Sequence, residues 1–518
     1  MNRTRNLKTL ETSPDQWDII IIGGGATGVG IAVDSASRGY KTLLLEQHDF
    51  GKGTSTRSTK LAHGGVRYLA QGNVSLVLDA LRERGLMRQN APHLVHPLAF
   101  VLPNYDWWGG AYYGIGLRMY DMMAGKLGFG RCRNLSKKKT IEHLPTIEPK
   151  GLRGGVVYYD GQFDDARLVI NLAQTAAEQG ATMMNYMRVT ELVKSDGKVR
   201  GVVARDEESG REFRLSGKAV INATGPFTDA LRKMENANSK PMISPSQGVH
   251  IVLERSFLPG SYALMVPKTD DGRVLFAIPW HDCVVIGTTD TPIDEVSLEP
   301  RAQKDELDFL LTHAARYLTK DPTPADVLSI FVGIRPLVKA DKSTTAALSR
   351  DHTLQISETG MVTICGGKWT TYRKMAEDAV DHAAKSVGLG AKPCVTKNLK
   401  IHGYHNDADQ FGDLRYYGAD AAAISDLMRT NTSLAERLHP QRPYTAAEVV
   451  WCVRNEMART VEDFLSRRTR ALILGARIST EMAPAVASLM ARELSRDEAW
   501  EIQQVKDYNA LAQQYMMS

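Results

Sequence analysis

The sequence has few cysteines and no long hydrophobic run, and these absences exclude several classes of protein. Its 518 residues include five cysteines, Cys132, Cys283, Cys365, Cys394 and Cys452. No two of them have C-x-x-C spacing, which argues against a zinc site, an iron–sulfur cluster or a disulfide framework, so we predict no bound metal. No window approaches about eighteen consecutive apolar residues, so no transmembrane helix is predicted.

The charge and the first residues narrow the remaining classes. Residues 1–8 are polar and lack the apolar core of a secretory signal, so secretion is not predicted. The net charge of +5 is too small to indicate nucleic-acid binding, although it suits an anionic substrate or anionic lipid. The chain length predicts two or three domains.

A glycine-rich segment after a short apolar run predicts a dinucleotide site. Residues 18–22 have the composition of a buried parallel strand, and Gly23, Gly25 and Gly28 then fit G-x-G-x-x-G. These glycines allow a tight turn, a close approach to a pyrophosphate and close packing of helix on strand. A helix over 27–38 would direct its N-terminal N–H groups at the phosphates.

A second strand and an acidic residue complete this βαβ unit. The apolar run 41–45 ends at Glu46, about twenty residues past the glycines, where a ribose 2′-hydroxyl is bound in dinucleotide folds. A carboxylate there repels a 2′-phosphate, which disfavours NADP. The early position of the motif favours FAD held as a permanent cofactor, and NAD stays the alternative.

Two later segments share features with this domain. An apolar strand that begins at Lys218 ends in Ala223-Thr224-Gly225, and such small residues let backbone approach a cofactor closely. A strand over 361–365 is followed by Gly366-Gly367-Lys368 and by a helix over 370–386. Lys368 and its neighbouring N–H groups suit the reactive end of the dinucleotide, so the two glycine-rich segments together suggest a flavin enzyme.

The polar stretch 54–69 supplies further candidates. It combines hydroxyls, cations and a Gly-Gly pair, as suits an anionic cofactor. The residues predicted to reach pyrophosphate or ribityl oxygens are Ser55, Thr59 and Lys60. Gly64 and Gly65 are predicted to lie against the flavin ring. Arg67 and Tyr68 are predicted to lie just beyond the ring, at the substrate.

Arg335 and His250 are candidates for substrate chemistry. Pro336 keeps Arg335 out of helical backbone, and a guanidinium on an extended strand suits bidentate binding of phosphate or carboxylate. Together, Arg335, Arg67 and Lys368 predict a site that binds an anion between positive side chains. His250 can accept a hydroxyl proton, and His63 is the rival base.

The rest of the chain predicts a sheet domain and a helical region. Alternating strands over 262–267, 273–280 and 283–288 indicate an antiparallel sheet. Residues 395–518 are predicted to form a helical cap, with 444–474 as its clearest run. Thr445 and Glu448 fit a capping box at the start of that run.

These motifs resemble the FAD-dependent glycerol-3-phosphate dehydrogenases. The family's two signature segments match residues 22–39 and 366–376, and 58–69, 333–337 and 454–471 are also similar. The resemblance implies an α/β plus α fold: a glutathione-reductase-like FAD-binding Rossmann domain, an inserted mixed or antiparallel-sheet substrate domain, and a C-terminal helical cap. The FAD domain is placed at about 17–70, 150–245 and 329–390, the substrate domain at about 71–149 and 246–328, and the cap at 395–518.

The resemblance also implies the reaction and its residues. It implies oxidation of sn-glycerol 3-phosphate to dihydroxyacetone phosphate, with electrons passed to a membrane quinone; a glycerol-3-phosphate oxidase producing hydrogen peroxide is the alternative. The catalytic residues implied are His250, Arg335 and Lys368, with Arg67 and Tyr68 also at the substrate. The cofactor contacts implied are Gly23, Gly25, Gly28, Glu46, Ser55, Thr59, Lys60, His63, Gly64, Gly65, Ala223, Thr224, Gly225, Gly333, Gly366, Gly367, Lys368 and Thr370.

Family members of this size are peripheral on the cytoplasmic face of the bacterial inner membrane and often dimeric, so the resemblance implies both properties. Residues 105–123 are rich in aromatics and methionine, and Arg131 and 137–139 follow as a basic group. Aromatic residues beside basic ones suit a membrane interface, and helix packing is the alternative.

Overall fold

The computed structural model describes residues 1–12, 16–65, 73–106, 109–267, 269–270, 272–339 and 352–517, without the side chains of 109–113, 115 and 126. The strands of these ranges are β1 (Trp17–Ile22), β2 (Thr42–Leu45), β3 (Leu61–Ala62), β4 (Val95–Asn104), β5 (Arg133–Ser136), β6 (Gly154–Phe163), β7 (Thr182–Met184), β8 (Met187–Ser195), β9 (Lys198–Asp206), β10 (Glu212–Asn222), β11 (Ile243–Glu254), β12 (Tyr262–Val266), β13 (Leu275–Trp280), β14 (Cys283–Gly287), β15 (Thr291–Pro292), β16 (Val327–Val338), β17 (His352–Ile356), β18 (Val362–Gly366), β19 (Arg437–His439) and β20 (Arg442–Thr445). The α-helices are α1 (Arg3–Thr12), α2 (Ala26–Ser37), α3 (Val74–Asn90), α4 (Gly109–Ala124), α5 (Lys137–His143), α6 (Asp165–Glu178), α7 (Thr228–Glu235), α8 (Lys304–Ala315), α9 (Tyr372–Ser386), α10 (Ala421–Thr430), α11 (Ala446–Asn455), α12 (Ala471–Leu474), α13 (Ala476–Leu494) and α14 (Glu498–Gln513).

A mostly parallel sheet carries the first glycine-rich turn. Its strand order is β17-β18-β10-β1-β2-β7, and the pairing is parallel from β18 to β7. The antiparallel ribbon of β8 and β9 extends from β10. Strands β1 and β2 are neighbours joined through α2, so the predicted βαβ unit and the α/β fold class are confirmed.

Helices α2 and α9 pack together on one face of this sheet. A Cβ added at Gly30 would lie 2.9 Å from the ring of Tyr372, so the glycine permits close contact between the two helices. The buried core on this face includes side chains of β1, α2, α6 and α9. Both signature segments therefore contribute to one core, although more than 300 residues separate their starts at residues 22 and 366.

A second, mostly antiparallel sheet has the order β15-β11-β14-β13-β12-β4-β6-β3, with β16 paired to β11 and β5 to β6. Strands β12, β13 and β14 pair in antiparallel succession, which confirms the hairpins predicted over 262–288. Buried side chains on one side of the sheet pack against α8.

Two strands from the segments predicted for the FAD-binding domain pair within the second sheet. They are β6, in the segment 150–245, and β16, most of which lies in the segment 329–390. Strand β16 extends alongside β11 from Ile243↔Val338 to Leu253↔Val327, and this long-range pairing determines its place. The division into domains itself stays a prediction.

The helical run predicted over 444–474 is broken. It forms α11, a π-helical turn (Asp463–Arg468) and the short α12. The predicted capping box is confirmed, since Glu448 accepts from Thr445 N at 2.7 Å and Thr445 accepts in return from the backbone. The break follows from tertiary contacts, because Arg467 and Arg468 both bond the buried Asp49.

Within the described ranges, no helix has the length and apolar character needed to cross a bilayer.

Candidate functional site

The turn after β1 is shaped by glycine. Gly23 has φ +106°, and a Cβ there would lie 2.7 Å from the carbonyl oxygen of Ala223. A Cβ at Gly28 would lie 1.8 Å from the Gly23 carbonyl oxygen, so the third glycine packs the helix onto the turn. This turn leaves the N-terminus of α2 open at the carboxyl edge of the sheet, where dinucleotides bind.

A cavity of about 340 Å³ lies at this edge. Its volume falls within the range of small-molecule sites. The candidate residues that line it are Gly23, Gly25, Glu46, Ser55, Ala223, Thr224, Gly225, Gly366, Gly367 and Lys368. Three separated segments of the chain therefore meet at one groove, which we call the nucleotide groove.

Glu46 is held at the end of β2 by backbone amides. Its carboxylate accepts from Gly24 N at 2.6 Å and from His48 N at 2.9 Å. Burial raises the pKa of Glu46, and these two hydrogen bonds oppose the shift. The carboxylate lines the nucleotide groove, and its bond to a ribose stays a prediction.

The second glycine-rich segment contacts the polar stretch after β2. Trp369 Nε1 donates to the carbonyl oxygen of Ser55 at 2.7 Å. Thr370 Oγ1 accepts from His63 N at 3.2 Å. These bonds attach the lysine-bearing loop to the segment that carries most of the polar candidates.

A second cavity of about 210 Å³ lies beside the first, since Arg335 lines the second and its neighbour Pro336 lines the nucleotide groove. Its polar lining comprises Thr59, His63, Asp160, Arg273, Thr288, Asp290 and Arg335. Its apolar lining comprises Leu61, Phe100, Tyr158, Met265, Val274 and Phe276. We call this space the inner cavity; its cations suit a small anion.

Arg335 is fixed by protein acceptors on β11 and in the segment between β14 and β15. Its Nη1 donates to Asp290 Oδ1 at 3.1 Å and to the Gln247 carbonyl at 3.3 Å. Its Nη2 donates to Thr288 Oγ1 at 3.2 Å and to the Thr289 carbonyl at 3.1 Å. The side chain is 27% exposed, so the oriented guanidinium still faces the inner cavity.

His250 reaches the inner cavity through a hydroxyl. Its ring is 2% exposed and stacks on Phe331 with 4.6 Å between centroids. Its Nε2 lies 2.9 Å from Thr59 Oγ1, and Thr59 lines the cavity. Burial lowers the pKa of His250 well below 6.5, and the nearby Lys60 and Arg335 lower it further. The imidazole is therefore neutral near pH 7.

Comparison with known proteins identifies the family. Residues 18–373 match the family of FAD dependent oxidoreductases, and 357–501 match the C-terminal domain of alpha-glycerophosphate oxidase. The mitochondrial glycerol-3-phosphate dehydrogenase of Mus musculus is 41% identical over 96% of this chain and 73% of its own length. The chain belongs to the FAD-dependent glycerol-3-phosphate dehydrogenase family.

Relatives elsewhere agree with this assignment. The family member SDP6 of Arabidopsis thaliana is also 41% identical, over 96% of this chain and 86% of its length. The glycerol-3-phosphate dehydrogenase from Bacillus halodurans, solved with FAD, superposes with a TM-score of 0.81 at 30% identity, covering 99% of this chain and 98% of that one. The L-alpha-glycerophosphate oxidase of Mycoplasma pneumoniae shares the fold, with a TM-score of 0.56 at 17% identity.

The residues of the nucleotide groove fit the FAD on which this glycerol-3-phosphate dehydrogenase family depends. The open N-terminus of α2 suits a pyrophosphate, and Glu46 suits a ribose. Gly366 and Gly367 have φ of +77° and +72°, conformations that favour glycine and expose backbone. The prediction of FAD as the cofactor is therefore confirmed.

Lys60, predicted to reach pyrophosphate or ribityl oxygens, lies apart from both cavities. Its Nζ is fully buried, donates to Asp165 Oδ2 at 2.7 Å and to the Thr56 carbonyl at 2.8 Å, and lines neither cavity. Gly333 also lies away from both cavities, where a Cβ would come 2.8 Å from the carbonyl oxygen of Arg57.

Three further candidates contribute to the site without lining either cavity. Gly28 packs against the glycine turn, Gly64 N donates to the Tyr120 hydroxyl, and the Thr370 hydroxyl accepts from His63 N. Gly65 lines the inner cavity directly. Arg67 and Tyr68, predicted at the substrate, lie outside the described residues.

Sequence reasoning missed several residues of the inner cavity. Asp290 bonds Arg335, Arg273 adds a second cation, and Asp160 adds a buried carboxylate. Asp290 follows Thr288 and Thr289 directly, but nothing in that run of residues indicates that it lies next to Arg335. Only the pairing of β11 with both β14 and β16 brings them together.

Proposed function

We propose that this family member oxidises sn-glycerol 3-phosphate to dihydroxyacetone phosphate and passes the electrons to a membrane quinone. The observation that carries the proposal is the junction of the two glycine-rich segments, through Trp369 to Ser55 and Thr370 to His63. This junction sets Lys368 in the nucleotide groove next to a small cavity containing Arg335. The named activity of the 41% identical relatives supports the same reaction.

In this proposal the inner cavity binds the substrate phosphate. Arg335 and Arg273 are its cationic walls, and Arg335 is oriented by Asp290 and the residues after β14. A guanidinium already fixed in place loses little conformational entropy when it binds phosphate. The cavity's modest volume favours a three-carbon phosphate over a larger anion.

The side chains around the inner cavity carry the proton chemistry. FAD supplies the hydride acceptor when it is bound. Thr59 Oγ1 receives the C2 hydroxyl proton of the substrate and passes its own proton to His250 Nε2, since the two atoms lie 2.9 Å apart. Lys368 stabilises the substrate oxygen as negative charge develops on it. His63, which lines the same cavity, is the alternative base.

The electron acceptor is proposed to be a quinone, reached by peripheral binding to the cytoplasmic face of the bacterial inner membrane. Among the described side chains of α3 and α4, the large apolar ones that are exposed are Val74, Leu78, Met119 and Met122. Exposed basic residues accompany them, namely Arg82, Arg88, Arg118, Arg131, Arg133, Lys137, Lys138 and Lys139. Apolar groups beside cations suit the surface of an anionic bilayer. A homodimer is proposed from the family resemblance alone.

An anaerobic titration tests the reaction. The purified yellow protein is mixed with glycerol 3-phosphate, glycerol or an amino acid, and the flavin absorbance is followed. We expect bleaching with glycerol 3-phosphate only. Bleaching by an amino acid alone would refute the proposed substrate.

Re-oxidation identifies the acceptor. The reduced protein is mixed with a soluble quinone or with dissolved oxygen, and peroxide is measured. Fast re-oxidation by quinone with little peroxide is expected. Faster re-oxidation by oxygen, with stoichiometric peroxide, would establish the oxidase instead.

A further inference from the structure

Two hydroxyl groups from distant parts of the chain hold the backbone of His63–Gly65. Thr370 Oγ1 accepts from His63 N at 3.2 Å and lies 3.4 Å from the His63 carbonyl oxygen. The Tyr120 hydroxyl accepts from Gly64 N at 2.7 Å. The two consecutive amides of His63 and Gly64 are thus bonded by hydroxyls from two distant parts of the chain, directly before Gly65 at the inner cavity.

The Tyr120 hydroxyl is itself fixed by a buried ion pair. It donates to Asp160 Oδ2 at 2.8 Å, while Asp160 Oδ1 accepts from Arg84 Nη1 at 2.6 Å. Tyr120 is fully buried and Arg84 is 1% exposed. Burial and then Asp160 raise the pKa of Tyr120 well above 10, so the hydroxyl stays protonated and its lone pairs remain for the amide.

The contact at Gly64 is close enough to set the position of the segment. A Cβ there would lie 2.6 Å from the Tyr120 hydroxyl oxygen and 2.7 Å from Leu81. The Gly64 backbone therefore packs directly against side chains of α3 and α4. Thr370 ties the same segment to the loop after Lys368.

We propose that Tyr120 and Thr370 are positioning residues of the reaction, which hold the His63–Gly65 backbone in place at the wall of the inner cavity. The inference rests on the proposed function, because that function makes this wall the one facing flavin and substrate. A misplacement of about 1 Å at a reacting centre can cost roughly 100-fold in rate. Losing either hydroxyl would let the segment move while leaving Arg335 in place.

Tyr120→Phe tests the first hydroxyl, with Tyr508→Phe as the matched control. Tyr508 is also buried, and its hydroxyl donates to Ser479 Oγ at 2.7 Å in the C-terminal helices. In Tyr120→Phe we expect kcat to fall roughly 10-fold and KM to change little, since one hydrogen bond to a buried amide is lost. The control should retain the wild-type kcat at matched thermal stability.

Hydrogen–deuterium exchange measures the attachment without turnover. In the oxidised holoenzyme, the peptide that contains His63 and Gly64 should exchange roughly 10-fold faster in Tyr120→Phe than in Tyr508→Phe. This readout does not depend on the substrate. If the proposed reaction were wrong, the difference in exchange between the two variants should still be observed. The two proposals can therefore be tested independently.

Thr370 offers a conservative rescue. Thr370→Val removes the hydroxyl at constant shape and should reproduce the faster exchange and lower kcat, whereas Thr370→Ser retains an acceptor for His63 N and should restore both. Exchange and kcat equal to the controls in Tyr120→Phe would overturn the inference. Faster exchange with unchanged kcat would also overturn it, because the segment's position would then not matter to the reaction.

Discussion

Arg335 is oriented before substrate binds, because Asp290 and the residues after β14 hold both of its Nη groups. Arg335→Ala should raise KM for glycerol 3-phosphate roughly 10- to 100-fold, because charge-assisted hydrogen bonds to the substrate phosphate are lost. The flavin should stay bound, since the side chain lines the inner cavity rather than the nucleotide groove. Steady-state kinetics and the flavin absorbance check both expectations.

The exposed Arg477 on α13 is the control for lost positive charge, and Arg477→Ala should keep the wild-type KM. If Arg335→Ala also keeps it, the phosphate contact belongs to another cation of the inner cavity, with Arg273 the first to test.

The depressed pKa of His250 makes a specific pH prediction. A base is active when deprotonated, and burial holds the pKa of His250 well below 6.5. Flavin reduction at saturating substrate should therefore stay level from about pH 8 to about pH 6.5 and fall only at lower pH. Stopped-flow absorbance under anaerobic conditions measures it.

His250→Asn should slow the same step roughly 100-fold, the scale of general-base catalysis. The comparison variant is His63→Asn, because His63 lines the inner cavity. A normal rate in His250→Asn together with a slow rate in His63→Asn would assign the base to His63.

Lys60 shows why single residues are harder to predict than motifs. Its neighbours in sequence are polar, which favoured a cofactor contact, but its partner Asp165 lies 105 residues away. Ser55 comes from the same stretch, and its Oγ accepts from Ala26 N at 2.8 Å at the edge of the nucleotide groove. Composition identified the stretch, while the long-range contacts decide which of its side chains faces the groove.

At the scale of elements, the sequence predicted the turns and helices that depend on residues close together in the chain. The turn at Gly23 needs positive φ and a close approach, and glycine spacing reveals both. The run 444–474 looked like one helix because nothing nearby in sequence shows that Arg467 and Arg468 turn toward Asp49. Tertiary ion pairs overrode helix propensity there.

Asp49 attaches the C-terminal helical region to the nucleotide groove. Burial alone would raise the pKa of Asp49, but Arg468 and Arg467 hold it below its ordinary value. The loop around it, including Glu46 and Lys52, lines the groove. Asp49→Asn should destabilise the fold by about 3 kcal/mol, as expected when one partner of a buried pair is removed.

Asp49→Asn should also release FAD at lower denaturant concentration, because the loop loses its anchor. Thermal unfolding and flavin fluorescence against urea concentration measure the two effects. Asp426→Asn, at the exposed pair with Arg429 on α10, is the control and should change stability by less than about 1 kcal/mol. Equal behaviour of the two variants would contradict the proposed anchoring.

At the scale of the whole molecule, the sequence indicated the two kinds of sheet but not their borders. Strand β16 spans the boundary predicted at about residue 329, and its partner in the sheet is β11. Strand β6 pairs with β4 over ten residues, from Val95↔Phe163 to Asn104↔Gly154. Such pairings depend on the register of segments far apart in sequence, which alternation of apolar and polar residues does not encode.

The molecule's surface carries the last prediction, which concerns membrane contact. Met119 and Met122 on α4 are 51% and 81% exposed, and Leu117 and Tyr120 of the same helix are buried. Helix α4 therefore packs with one face, as the packing alternative predicts, and leaves Met119 and Met122 exposed on another, where the membrane contact stays a proposal. Replacing both methionines by glutamate places two negative charges where we propose anionic lipid. Binding to sedimented vesicles of phosphatidylglycerol and phosphatidylethanolamine should weaken roughly 10-fold or more.

Ile502→Glu on α14 is the matched control, since Ile502 is 64% exposed and lies on a helix outside α3 and α4. It adds negative charge at an exposed apolar site without touching the proposed surface, so its vesicle binding should stay close to wild type. Thermal unfolding establishes that each variant is folded. Equal loss of binding in both variants would attribute the effect to net charge, and unchanged binding in Met119→Glu/Met122→Glu would exclude this face of α4. Selective loss would locate the membrane contact on the helix that also carries Tyr120, whose hydroxyl bonds Gly64 at the inner cavity.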